Sequence, residues 1–306
     1  MGVDPMSLGH WHPSVVLGLG GLLAGYLAGI GPLRSCLGGS PLPLARVLAF
    51  GGGVGILAGA LLGPLAEWAE HVALSAHMAQ HLLLILAAPP LLLIGTPDWL
   101  LRPALRVPRV APTGWLLTRP AVAFSLAASV LIIWHLPAFY GAALESEGLH
   151  ILEHLTLFGT ALLAWWPVTG PLPEWPRPSA PAQLLYLFLS TVPMTAAAAP
   201  ITLADGVLYP FYAATTAPWP LSPRSDQELA GTLMWIGGML GYLVAGTVVF
   251  FQWATREGGD EYPVDTARHP QVGGSSGGPE AAASEAPAEM VNWTRPLMVN
   301  GSGGEG

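Results

Sequence analysis

Seven stretches of the chain stay apolar for roughly 20 residues at a time, the length of helix that crosses the ~30 Å hydrocarbon core of a bilayer. They run from about Ser14 to Ile30, Leu44 to Gly63, Ser75 to Ile94, Pro120 to Leu136, His150 to Trp166, Ala182 to Ala199 and Leu229 to Trp253. In lipid every backbone N–H and C=O must be satisfied within the protein, so spanning segments of this composition can only be helices. Only 10% of the 306 residues are charged and 52% are hydrophobic, where a soluble domain carries roughly 25% charge. An ordinary soluble globule is excluded. The expected fold is all-α, a polytopic transmembrane bundle of seven helices over residues 14–253. Residues 1–13 form an N-terminal arm, and residues 254–306 form a tail whose Gly, Ser, Pro, Ala and Glu content, plainest in GGSSGGPEAAASEAPAE, predicts disorder.

Arginine sets the expected orientation, because basic residues are retained on the cytoplasmic side of short loops. Arg34, Arg46, Arg102, Arg106, Arg109, Arg119, Arg177, Arg256, Arg268 and Arg295 all fall in odd-numbered loops or after the last helix, and only Arg224 falls on the other side. The N-terminus is expected outside and the C-terminus inside. The start, MGVDPMSLGH, lacks the basic region and cleavage pattern of a signal peptide, so the first helix is expected to remain as an anchor. The outer segments then carry Asp4, Glu67, Glu70, Glu145, Glu147, Glu153, Asp205, Asp226 and Glu228. Such an anionic face would collect cations, although the basic bias of the other side alone leaves acids here.

Two absences exclude whole chemistries. Without any Lys the chain can form no retinal or pyridoxal Schiff base and no phosphate-binding GK[ST] loop. The single Cys36 excludes an internal disulfide and any paired-cysteine site, so a bound metal must use imidazole, thioether or carboxylate.

Eight of the nine histidines, His10, His12, His71, His77, His81, His135, His150 and His154, sort to the outer side on this topology. His77 and His81 open the third apolar segment, and His150 and His154 open the fifth. Each is an i,i+4 pair, two imidazoles on one helix face within reach of one ion. His135 ends the fourth segment at the same level. A single interfacial His is ordinarily a hydrogen-bonded structural ring, but five at one depth make His77, His81, His135, His150 and His154 the candidate metal ligands. Secondary candidates are Met78, Glu153, Met194, Asp226 and Met234. Thioether with imidazole would favour Cu(I), whereas Met in a membrane helix more often packs, and Asp226 could instead cap the last helix. The pair His10 and His12 forms an HxH on an arm expected to be mobile, which could capture a metal, although flexible ends make poor sites. Pro89-Pro90 and Pro193 are expected to kink their helices. Two glycine series, Gly21, Gly25, Gly29 and Gly51, Gly55, Gly59, Gly63, suggest close packing within the bundle.

The strings HMAQHLLLILAAPPLLLIGTP (His77 to Pro97), WHLPAFY (Trp134 to Tyr140), HILEHLTLFGTALLAWWPV (His150 to Val168), LYPFYA (Leu208 to Ala213) and SDQELAGTLMW (Ser225 to Trp235) resemble the multispanning CtaG family, assembly factors for caa-type cytochrome c oxidase. The resemblance runs from about His71 to Trp253. It implies a multi-pass protein of the bacterial plasma membrane that binds copper, of unstated oxidation state, and hands it to cytochrome c oxidase subunits. A copper donor protein on the outer side is implied as a further partner, with no nucleic acid and no enzymatic activity. The family's histidine pattern falls on His77, His81, His135, His150 and His154, and its DQ element on Asp226 and Gln227. Three alternatives stay open at this level. One is a membrane haem protein with facing imidazoles such as His81 and His154, another a copper permease, and the third a metalloprotease of the HxxEH type with Glu153 as base.

Overall fold

The computed structural model describes residues 13–175, 177–214 and 219–260, with side chains to residue 256. The arm with His10 and His12, and the tail with His269, lie outside the described residues. In chain order the helices are α1 (Pro13–Ile30), α2 (Leu44–Leu61), α3 (Pro64–His71), α4 (Leu74–Leu82), α5 (Ala88–Gly95), α6 (Asp98–Leu105), α7 (Val110–Leu117), α8 (Pro120–His135), α9 (Pro137–Glu145), α10 (Glu147–Thr169), α11 (Ala180–Leu203) and α12 (Pro223–Asp260). A π-helical turn, Leu83–Ala87, joins α4 to α5, and a short 3-10 turn covers Pro210–Ala214. There is no strand among the described residues.

Six helices are long and apolar enough to cross a membrane, counting α4 to α5 as one run from Leu74 to Gly95. The fourth expected span is the exception. At 16 residues α8 reaches only about 24 Å, and it qualifies as a seventh span only together with α7, from which it is bent by 72°. Pro120 starts α8 and Pro137 starts α9, so proline sets both limits. The last helix runs on to Asp260, beyond the expected start of the tail at residue 254.

At the Pro89-Pro90 pair, where a kink is expected, the α-helical hydrogen bonding gives way to a π turn. Pro89 has no N–H for the carbonyl of Ile85 four residues earlier, and the helix widens into the π turn just before the pair. Trp165 of α10 donates its Nε1–H to that same Ile85 carbonyl at 2.8 Å, so the freed acceptor is satisfied by a neighbouring helix. By contrast α11 continues as one helix through both Pro193 and Pro200.

Most of the two glycine series do not make the close contacts expected of them. A Cβ on Gly21, Gly25, Gly51, Gly55 or Gly59 would meet nothing within 4 Å, and one on Gly63 would meet only the Gly59 backbone. Gly29 does make such a contact, since a Cβ there would run into the Leu100 side chain of α6. The other tight approaches come from glycines outside that spacing. A Cβ on Gly53 would lie 2.8 Å from Leu92, and one on Gly95 would lie 2.5 Å from the Phe50 amide nitrogen. Here α2 and α5 meet, and Tyr26 of α1 seals the junction by stacking on Phe50 at 3.7 Å and donating to the Gly95 carbonyl at 3.0 Å. Periodicity reveals which glycines share a face, but not which face meets a neighbour. Replacing Gly95 by Ala is therefore expected to lower stability by about 1–3 kcal/mol through overpacking. Gly55→Ala should stay within about 0.5 kcal/mol of the parent, with thermal unfolding in detergent as the comparison.

Candidate metal centre

The N-terminal parts of α4 and α10 and the C-terminal end of α8 lie together at one end of the bundle, and they bring all five predicted histidines to one place. His77 and His81 share a face of α4 with Nε2 atoms 2.8 Å apart, one donating to the other. The His150 and His154 rings of α10 are 4.4 Å apart by centroid. The two pairs face each other, His77 to His150 at 5.4 Å and His81 to His154 at 5.3 Å, and His135 stands 5.5 Å from His81. Glu153, fully buried, reaches into the group with Oε1 3.6 Å from His81 Nε2 and 3.9 Å from His77 Nε2.

Hydrogen bonding around the rings leaves donor atoms for a cation. His135 Nδ1 donates to the Leu131 carbonyl at 2.7 Å, which fixes the tautomer and leaves the Nε2 lone pair unused. That Nε2, the Nε2 of His154, the Nδ1 of His81 and both carboxylate oxygens of Glu153 find no hydrogen-bond partner among the described residues. Buried polar atoms are nearly always paired, and an isolated buried carboxylate is costly. A cation would satisfy this set, and imidazole with carboxylate suits copper, zinc, iron and nickel. One atom each from His77, His150, Glu153 and His154 lies within 4.8 Å of the others. Donors around a single tetrahedral ion at about 2.1 Å stand roughly 3.4 Å apart, so binding requires these side chains to close in.

The other predicted contacts are used elsewhere. Met78, Met194 and Met234 are buried in the apolar core, and Met194 lies over Gly238, where a Cβ would come within 2.5 Å of its Cγ. Asp226 neither faces the rings nor caps its own helix. Its carboxylate accepts from the Leu74 N–H at 2.7 Å, the Ser75 N–H at 3.4 Å, the Ser75 hydroxyl at 2.5 Å and Trp219 Nε1 at 3.0 Å. It therefore caps α4 from α12, and the first turn of α12 is held by Ser222, whose Oγ accepts the Ser225 N–H. The neighbouring Gln227 accepts from the Leu208 N–H and donates to the carbonyls of Ile201 and Gly206, pinning the loop before the 3-10 turn.

Three tyrosines that sequence reasoning did not single out close the centre. Tyr212 donates to the Ala69 carbonyl at 2.7 Å, so the proton in its 2.9 Å contact with Tyr140 comes from Tyr140. Tyr209 donates to the His135 carbonyl at 2.8 Å. The Tyr140 ring meets His77 edge to face at 5.0 Å and Tyr209 at 4.7 Å. Burial pushes all three hydroxyls above the usual phenol range, so they stay protonated and donate. Their only signal in the sequence was membership of the WHLPAFY and LYPFYA strings.

Fold and centre together define a multi-pass helical membrane protein built around a buried imidazole–carboxylate cluster. The chain belongs to the cytochrome c oxidase caa3 assembly factor (CtaG) family, whose sequence model matches residues 24–256 and so extends the resemblance upstream into α1. Similar proteins include uncharacterized proteins of Mycobacterium bovis and Mycobacterium tuberculosis, each 28% identical over 275 residues. These alignments take in 81% of this chain and 40% of each relative. An uncharacterized protein of Mycobacterium leprae is 25% identical over 263 residues, with 80% of this chain and 38% of the relative covered. The chain thus spans about two fifths of the length of these curated relatives. No solved structure matches it.

Removal of the Asp226 carboxylate tests the structural part of this arrangement. Charged hydrogen bonds contribute about 1.5–3 kcal/mol each, so Asp226→Ala should destabilise by at least about 2 kcal/mol. Glu228→Ala, which breaks an exposed pair with Arg224, should cost under about 1 kcal/mol. Thermal unfolding of the two variants side by side checks the order.

Proposed function

We propose that this protein is a non-catalytic assembly factor for cytochrome c oxidase in the bacterial plasma membrane, and that it carries copper in the histidine–glutamate centre and passes it to the oxidase. The observation that carries the reading is the cluster of five imidazoles, three of them buried and two half-buried, beside a buried carboxylate whose oxygens have no hydrogen-bond partner among the described residues. Family membership supplies the oxidase, and the resemblance of the histidine strings supplies copper as cargo. With the methionines packed in the core, copper would be held by imidazole nitrogen and the Glu153 carboxylate, a donor set that takes either oxidation state. The arginine bias places this end of the bundle on the outer side, where a donor protein and the oxidase would both approach it.

The packing argues against two of the three alternatives, the haem protein and the metalloprotease; the copper permease is separated by its own readout, copper appearing inside sealed vesicles. A macrocycle between His81 and His154 would have to displace the His77 and His150 rings, 5.7 and 4.4 Å from His154. As a protease base Glu153 would need water at its carboxylate, yet it is 0% exposed. Purified in detergent and loaded anaerobically with Cu(I) against a competing chelator, the parent chain should bind copper stoichiometrically and show no Soret band. His81→Ala/His154→Ala should weaken binding about a hundredfold or more. Equal binding in both proteins, or none in either, would remove copper from the centre.

A further inference from the structure

A cavity reaches two of the histidines of the cluster. With a volume of about 220 Å³, room for several waters, it lies among the ends of α2, α3 and α9 and the start of α10, with Ser14 and Val15 of α1 at its edge. Its inner wall carries His150 and His154, two rings of the centre. Glu70, Glu145 and Glu147 line it, the last two exposed, together with His71, and no Arg lines it among the described residues. Gln80 lines it too, 1% exposed, with its Nε2 donating to the Ala60 carbonyl at 2.9 Å. That bond leaves Oε1 as the free end of the amide, and Oε1 has no hydrogen-bond partner among the described residues. A buried amide oxygen without a donor, on a residue that lines the cavity, is placed to receive a cation or its water.

We propose that this cavity is the port through which a metal ion reaches and leaves the centre. The three glutamates draw the cation in, Gln80 Oε1 gives it a contact in transit, and His150 and His154 are the ligands of the centre that it meets first. The inference rests on the metal-carrying reading above and adds a route and a direction to it. The cavity admits a hydrated ion or a small complex, not a protein segment, so a donor protein would have to release its metal at the rim.

Uptake kinetics test the port separately from the centre. Cu(I) supplied as its acetonitrile complex is mixed with detergent-purified protein, and bound metal is counted after timed quenching with excess chelator. Glu70→Gln/Glu145→Gln/Glu147→Gln should load about tenfold more slowly at low salt, reach the parent stoichiometry, and lose the difference at high salt. In a Cys36→Ser background, Leu144→Cys on the cavity wall should stop rapid uptake once blocked by a methanethiosulfonate reagent. Leu155→Cys, 65% exposed on the outer face of α10, should not. Parent rates in the triple variant and in blocked Leu144→Cys, at full stoichiometry, would overturn the port and leave the centre standing. A parent chain that takes up no metal would overturn both.

Discussion

The carboxylate of Asp226 caps the start of α4, and the histidine cluster depends on that. The first turn of any helix has backbone N–H groups with no partner of their own, and at a membrane helix end inside a bundle water cannot be assumed to supply one. Here a side chain 151 to 152 residues away does so, for Leu74 and for both the amide and the hydroxyl of Ser75. The negative charge also sits at the positive end of the α4 dipole. His77 and His81 lie within two turns of that cap, so the register of α4 against α10 is held from α12. The DQ element is a structural clamp: Asp226 holds α4, and Gln227 holds the loop leading to Tyr209 and Tyr212.

With both helices held in place, the cluster concentrates polar atoms that the surrounding core cannot satisfy. Glu153 is buried among imidazoles, with His77 and His81 beside its carboxylate and the Tyr140 ring against His77. Neutral imidazoles offer it little compensation at 3.6–3.9 Å, and the tyrosine hydroxyls are spent on the Ala69 and His135 carbonyls and on each other. Polar groups left unsatisfied at this density occur where a protein stores capacity for binding. The tyrosine seal on one side and the glutamate-rimmed cavity on the other give the cluster a closed face and an open one.

The break at Pro89 shows how the same run of sequence serves two ends. Above it α4 carries the ligands; below it α5 packs against α2 at Gly53 and Gly95, closely enough that a β-carbon would not fit. The π turn between them is stabilised by the Trp165 indole rather than left open. Because Trp165 belongs to α10, this helix braces the kink with one end and supplies two histidines and Glu153 with the other.

The chain on its own determined the apolar spans, because bilayer thickness imposes a length that can be counted, and it determined the two i,i+4 histidine pairs, because helical periodicity alone puts them on one face. It also placed His135 at the right depth, since proline at 137 ends the helix beside it. Direction in the plane of the bundle was beyond reach of counting. Periodicity could not show that Glu153 points into the rings while Met78, Met194 and Met234 point into apolar packing, nor that Gly95 rather than Gly55 meets a neighbour. Asp226 was legible as a capping residue but not as the cap of another helix, because that bond joins positions about 150 residues apart. Such choices depend on which helices stand side by side, and only the tertiary packing of α4, α8, α10 and α12 turns five histidines at one depth into five around one point.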